Sequence, residues 1–160
     1  MKNMDVQTRR EFCVNACQAA SLLAFGGALS AMLQGCSSDD PLSSGGQNLP
    51  RIQATAVNSV ITLAIEASSP LATVGNAAQV QYGSGTLLVA RTAQDTFAAV
   101  TAICTHQSCA ITGYSNQIYI CPCHGSQFDT NGQVKKGPAN SALRKYQTQF
   151  ANNQLTITLS

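Results

Sequence analysis

The chain has 160 residues, a formal net charge of +2 and no tryptophan. Nine basic residues stand against seven acidic ones, and charged residues are only 10% of the total. That balance gives no support for nucleic-acid binding or a strongly basic membrane patch.

The chain opens with an address. Thr8-Arg9-Arg10-Glu11-Phe12 resembles a twin-arginine export signal, and residues 12–38 carry no charge and are rich in Ala, Leu and Gly. Residues 1–36 are therefore set apart from the fold as a signal, a membrane-anchor helix or a lipoprotein leader. Leu33-Gln34-Gly35-Cys36 resembles a lipobox, which makes Cys36 a lipidation candidate. An uncut anchor and plain cleavage near Ser30 rank second and third. Cys13 and Cys17 fall in the same apolar stretch and receive no redox role. All three readings put the remainder outside the cytoplasm, on the periplasmic side, with membrane attachment favoured over a free soluble protein.

Residues 37–50 are rich in Ser, Asp, Gly and Pro and read as a flexible linker. Residues 51–160 form one domain by size. Strand signals dominate it. Residues 52–65 are rich in Val, Ile and Thr; 79–82 and 86–91 flank Gly83-Ser84-Gly85, a hairpin signal. Residues 95–103 run into one cysteine- and histidine-rich stretch, and 117–120, after a turn at 113–116, run into a second. Residues 144–150 and 155–159 pair across another turn. No part of the domain keeps a helical apolar period. The fold class is all-β: a small antiparallel sandwich or open barrel.

The two stretches carry the chemistry. The first reads Cys104-Thr105-His106-Gln107-Ser108-Cys109 and the second Cys121-Pro122-Cys123-His124-Gly125-Ser126; together they hold both histidines of the chain. Each offers a Cys and a His as ligands and one further Cys. A mixed-ligand [2Fe–2S] centre uses this set, and a Cys₂His₂ zinc site uses part of it. Zinc leaves the extra cysteines unexplained, and a pure disulfide framework leaves the histidines unexplained. Two ferric ions and two sulfides carry +2; two thiolates and two neutral imidazoles bring the centre to zero. An electron enters a neutral centre more readily than the dianion that four thiolates make. Mixed ligation accordingly raises the potential, to about −150 to +300 mV against about −400 mV for all-Cys plant-type centres.

Cys-Thr-His-x-x-Cys followed by Cys-Pro-Cys-His-Gly-Ser resembles the two cluster-binding loops of the Rieske iron–sulfur family. Gly137-Pro138-Ala139 sits where that family has a third, proline-containing loop over the cluster. The resemblance implies that Cys104 and Cys121 bind one iron and that His106 and His124 bind the other. It implies a disulfide between Cys109 and Cys123, and a hydrogen bond from the Ser126 hydroxyl to a bridging sulfide. It also implies a cluster-binding subdomain at about 103–140 inserted in a larger β base. Members resembling the respiratory quinol oxidases have Tyr at the position of Phe128, and Leu then Gly at the positions of Gln107 and Ser108. Phe cannot donate a hydrogen bond, so a lower potential than in those members is expected, and quinol oxidation is a weaker reading.

The expected function is one-electron transfer in a periplasmic or membrane-attached redox chain. Three settings are open: a quinol:cytochrome c oxidoreductase subunit, an arsenite-oxidase-like small subunit, and a standalone carrier. Partners are then a cytochrome or a larger oxidoreductase subunit, with quinol as a candidate donor. The Rieske component of an oxygenase is the alternative, and it needs a mononuclear iron site for which this chain has no spare histidine. A zinc-stabilised binding module is a third. No substrate site for bond-making chemistry is visible, so no catalytic residue is assigned. Lys135 and Lys136 lie beside the third loop, as a docking rim or simply as a solvated hairpin tip.

Overall fold

The computed structural model describes residues 46–159, which are all-β. The expected anchor helix, the twin-arginine segment and Cys36 lie outside the described residues. Among the described residues no helix is long and apolar enough to cross a membrane.

Among the described residues thirteen strands form two sheets. The larger sheet contains β2 (Arg51–Ala54), β3 (Ala56–Val57), β4 (Val60–Ala64), β5 (Ala77–Tyr82), β6 (Gly85–Ala93), β7 (Thr96–Thr101), β12 (Lys145–Ala151) and β13 (Gln154–Thr158). Its order is β2-β5-β6-β7-β12-β13-β4-β3. The smaller contains β1 (Gln47–Asn48), β8 (Gly113–Ser115), β9 (Ile118–Ile120), β10 (Gln127–Asp129) and β11 (Val134–Lys136), in that order. The sheets are not wholly antiparallel, as the sequence suggested: β2 runs parallel to β5, with Ile52 opposite Val80. Three strands that pattern alone did not show, β8, β10 and β11, belong to the smaller sheet.

Three hairpins close on two-residue turns in which both residues have positive φ: Asn58 (48°) and Ser59 (63°), Asn116 (49°) and Gln117 (62°), Asn152 (51°) and Asn153 (57°). This backbone twist matches that of the flanking strands, and Asn tolerates the left-handed region better than most residues. The stretch read as one strand over 52–65 is broken by the first of these turns.

The central strands are buried on both faces, which explains their continuous apolar runs. In β6, Leu87 and Val89 face a core with Ile61, Val80, Phe97, Leu155 and Ile157. Leu88 and Ala90 face the other way, into a core with Val100, Tyr119, Phe128, Cys104 and Cys121. The larger sheet thus curls around one core and presents its back to the smaller sheet through the second. Gln79 lies on that back; its buried Nε2 donates to Ile111 O at 2.9 Å.

The end of the expected linker is also part of the fold. Gln47 and Asn48 pair with Tyr114 and Gly113, Leu49 N–H donates to Thr112 O at 2.9 Å, and the Leu49 side chain is buried in the second core. Burying a leucine stabilises by about 2 kcal/mol, which together with this pairing holds residues 47–50 on the sheet and shortens the linker from its C-terminal end.

Candidate metal centre

The two Cys/His stretches are loops of one design. In the first, Cys104 N–H donates to Cys109 O (2.8 Å) and Ser108 N–H donates to Cys104 O (3.0 Å). In the second, Cys121 N–H donates to Ser126 O (2.9 Å) and Gly125 N–H donates to Cys121 O (3.0 Å). The fifth residue of each loop has positive φ: 56° at Ser108 and 72° at Gly125. The loops leave the ends of buried sheet structure, whose strands fix their positions.

Both loops converge on one place. His106 Nδ1 and His124 Nδ1 lie 3.3 Å apart, with ring centroids at 4.8 Å and planes nearly perpendicular, at 86°. His124 is exposed and His106 half-buried. Cys104 and Cys121 are buried free thiols. Burial pushes the Cys121 thiol pKa up. The backbone N–H of Cys123 acts against that, the adjacent Cys104 thiol adds to it, and the N–H of His124 again opposes it. Two neighbouring thiols resist ionising together unless a cation compensates. The donor set therefore fits a metal centre: a buried sulfur pair and, nearer solvent, two imidazole nitrogens 3.3 Å apart. Cys109 and Cys123, the two cysteines left over, form a disulfide tying one loop to the other.

The third loop covers the second. Ser126 is fully buried, and its Oγ accepts the N–H of Ala139 at 3.0 Å. Accepting there leaves the hydroxyl proton to be donated elsewhere. Sequence reading missed a second tie: Thr105 Oγ1 donates to Ser141 O at 2.6 Å, joining the first loop to the cover. It missed the matched loop geometry as well, because Ser108 stands where the second loop has Gly125. Phe128 is fully buried, opposite Tyr119 in the sheet. Gln107, Ser108, Lys135 and Lys136 are exposed.

Residues 62–147 match the family model of the Rieske [2Fe-2S] domain. The chain is similar to the cytochrome b6-f complex iron-sulfur subunit of Prochlorococcus marinus strain MIT 9211, 53% identical over 45 residues, which are 28% of this chain and 25% of that protein. The corresponding subunit of Cyanothece sp. strain PCC 7425 is 40% identical over 58 residues, 36% of this chain and 32% of that protein. The matched region thus spans about a quarter to a third of the length of these relatives. Among solved structures, the plasma membrane Rieske protein PetC3 from Synechocystis PCC 6803 is 30% identical with a TM-score of 0.47, over 51% of this chain and 85% of that one. A chain of the complex of reduced oxygenase and oxidized ferredoxin in carbazole 1,9a-dioxygenase shares the fold, at 19% identity and a TM-score of 0.51, over 61% of this chain and 99% of that one. The family match contains every thiol and imidazole described above and covers more than half of the sequence: the chain belongs to the Rieske [2Fe-2S] domain family, and its cofactor is a Rieske-type [2Fe–2S] cluster.

Proposed function

We propose that Cys104 and Cys121 hold one iron of the cluster, that His106 and His124 hold the other, and that the protein passes single electrons between partners in a redox chain outside the cytoplasm. One observation carries this reading: two imidazole Nδ1 atoms 3.3 Å apart at the edge of a core that contains two free thiols. The bound cluster supplies one-electron oxidation and reduction at a potential raised by neutral ligands.

The remaining roles belong to the chain itself. The buried thiols set the sulfur side of the site away from water. The imidazoles, nearer solvent, give a partner a short approach. Ser126 has a hydroxyl proton available for a sulfur acceptor, and such donors favour the reduced, more negative state. Phe128 is buried without a hydroxyl to offer, which supports a potential below that of tyrosine-bearing members. The Cys109–Cys123 disulfide holds the two loops at fixed separation, and it suits the oxidising compartment that a twin-arginine leader would reach.

The relatives' names support a place in a membrane-attached oxidoreductase complex with a cytochrome among its partners. The quinol:cytochrome c and arsenite-oxidase-like settings remain the two forms of that reading, with the leader of residues 1–36, lipidated at Cys36 or uncut, as the attachment. Residues 51–160 are then the electron-transfer head. Protein-film voltammetry with EPR of the reduced protein tests it. A reversible one-electron wave within about −150 to +300 mV is expected, with an average g value below that of the free electron. An EPR-silent, colourless zinc protein would refute it.

A further inference from the structure

Four of the six Lys and Arg residues in 46–159 fall within eleven positions: Lys135, Lys136, Arg144 and Lys145. They stand at the two feet of the cover loop, residues 137–143. The fold draws the feet together. Leu143 N–H donates to Gly132 O at 2.9 Å. Lys145 Nζ donates to Asn131 Oδ1 at 2.7 Å, and Lys135 Nζ pairs with Asp129 Oδ2 at 3.1 Å. Asn131 N–H in turn donates to Asp129 Oδ1 at 2.9 Å. Two lysines ten positions apart in sequence therefore meet on one turn. All four cations are exposed, and Asp129 offsets one charge at most.

The adjoining tip has no charge of its own. No Lys, Arg, Asp or Glu occurs from Thr96 to Phe128, or from Gly137 to Leu143. Within the ligand loops and the cover loop, therefore, no charged side chain competes with the ridge in steering a partner. The cover loop is hydrogen-bonded to both ligand loops, through Thr105 and Ser126, so a partner bound at its feet engages a loop that is tied to both ligand loops. An anionic lipid surface would offer the same charge, but membrane-seating surfaces add large exposed apolar side chains to their cations. Those among the described residues are Val57, Val74 and Ile103, none of them in 135–145.

We propose that Lys135, Lys136, Arg144 and Lys145 form the docking surface for an acidic electron-transfer protein. The proposal rests on the electron-transfer reading above. Opposite potentials raise encounter rates by factors of about 10 to 10³ and lose that advantage as salt screens them.

The test uses the full-length, cluster-loaded protein and two acceptors: cytochrome c, which is basic, and its succinylated derivative, which has the same haem and the opposite surface charge. At low ionic strength the reduced protein should pass electrons to the succinylated form about tenfold or more faster, and salt at about 0.2 M should remove the difference. The variant Lys136→Glu/Lys145→Glu should reverse the preference with its visible spectrum and midpoint potential unchanged. Should that variant fail to fold, the salt dependence of the unmodified protein decides alone. Equal rates with both acceptors, or a preference the variant keeps, would overturn the proposal. So would lysine-dependent sedimentation with phosphatidylcholine–phosphatidylglycerol vesicles without a preference between the cytochromes, which assigns the ridge to a membrane. Absence of a reversible one-electron wave in the same sample refutes electron transfer itself, and the docking surface with it.

Discussion

Ser108 and Gly125 occupy equivalent positions in the two ligand loops: each N–H returns to the carbonyl of its loop's first cysteine, and each has positive φ, 56° and 72°. Only one of them is a residue that adopts this backbone at no steric cost. Ser108→Gly should stabilise the protein by about 1 kcal/mol, the left-handed penalty for a residue with a Cβ. Gly125→Ala should destabilise it by a similar amount. A Cβ at Gly125 meets nothing within 4 Å, so the cost there is backbone strain alone. Paired chemical denaturation curves check both signs; two shifts in the same direction would break the equivalence.

Tyr119 is fully buried, yet its hydroxyl is the one buried side-chain polar atom among the described residues that lacks a hydrogen-bond partner. Burial pushes its pKa well up, and the neighbouring Tyr114 adds to that, so the group stays neutral. An unsatisfied buried donor costs roughly 1–3 kcal/mol. Tyr119→Phe keeps the ring against Tyr114, at 5.1 Å between centroids, and removes the orphan. A gain of about 1 kcal/mol in unfolding free energy is the expected result; a loss would show that the hydroxyl has a partner in the loaded protein.

The disulfide closes a loop between residues 14 apart, and such a loop contributes about 3 kcal/mol by restricting the unfolded chain. Cys109→Ala/Cys123→Ala should lower the unfolding free energy by that order. It should also separate the two ligand loops, so cluster absorbance should disappear at lower denaturant than in the parent. Unchanged midpoints for both signals would contradict this.

Asp129 organises the turn below the cover loop. Burial acts to raise its pKa. The N–H of Gln133, the Lys135 ammonium and the N–H of Asn131 together outweigh burial and hold it below the ordinary carboxylate value. A folded pKa below the unfolded value of about 3.9 stabilises fully above that pH, and the contribution is lost as pH falls through the folded value. Asp129→Asn should therefore be less stable than the parent at pH 7, by up to about 1 kcal/mol for a partly exposed group. The gap should close below about pH 4. A pH-independent gap would assign the effect to packing.

The local code was legible in the sequence wherever neighbours in the chain decide the structure. Cys104, His106, Cys121 and His124 stand at spacings that few chemistries use. The apolar runs of residues 86–91 and 95–103 announced strands, and Asn152-Asn153 announced a turn. Short strands such as β10 and β11, of three residues each, hold too few side chains for a period to show. They exist because the sheet beside them supplies hydrogen-bond partners. The flexible-looking residues 47–50 follow the same logic, since their order comes from Tyr114, Thr112 and the buried seat of Leu49.

Composition and spacing by themselves determined the cofactor class and an all-β fold, because donor chemistry and two-residue periodicity are properties of adjacent positions. Tertiary structure alone decided that β2 runs parallel to β5, that Ser108 must share the backbone of Gly125, and that Lys135 and Lys145 meet on one turn. These depend on contacts between residues distant in the chain, whose pairing is set by which surfaces are buried together.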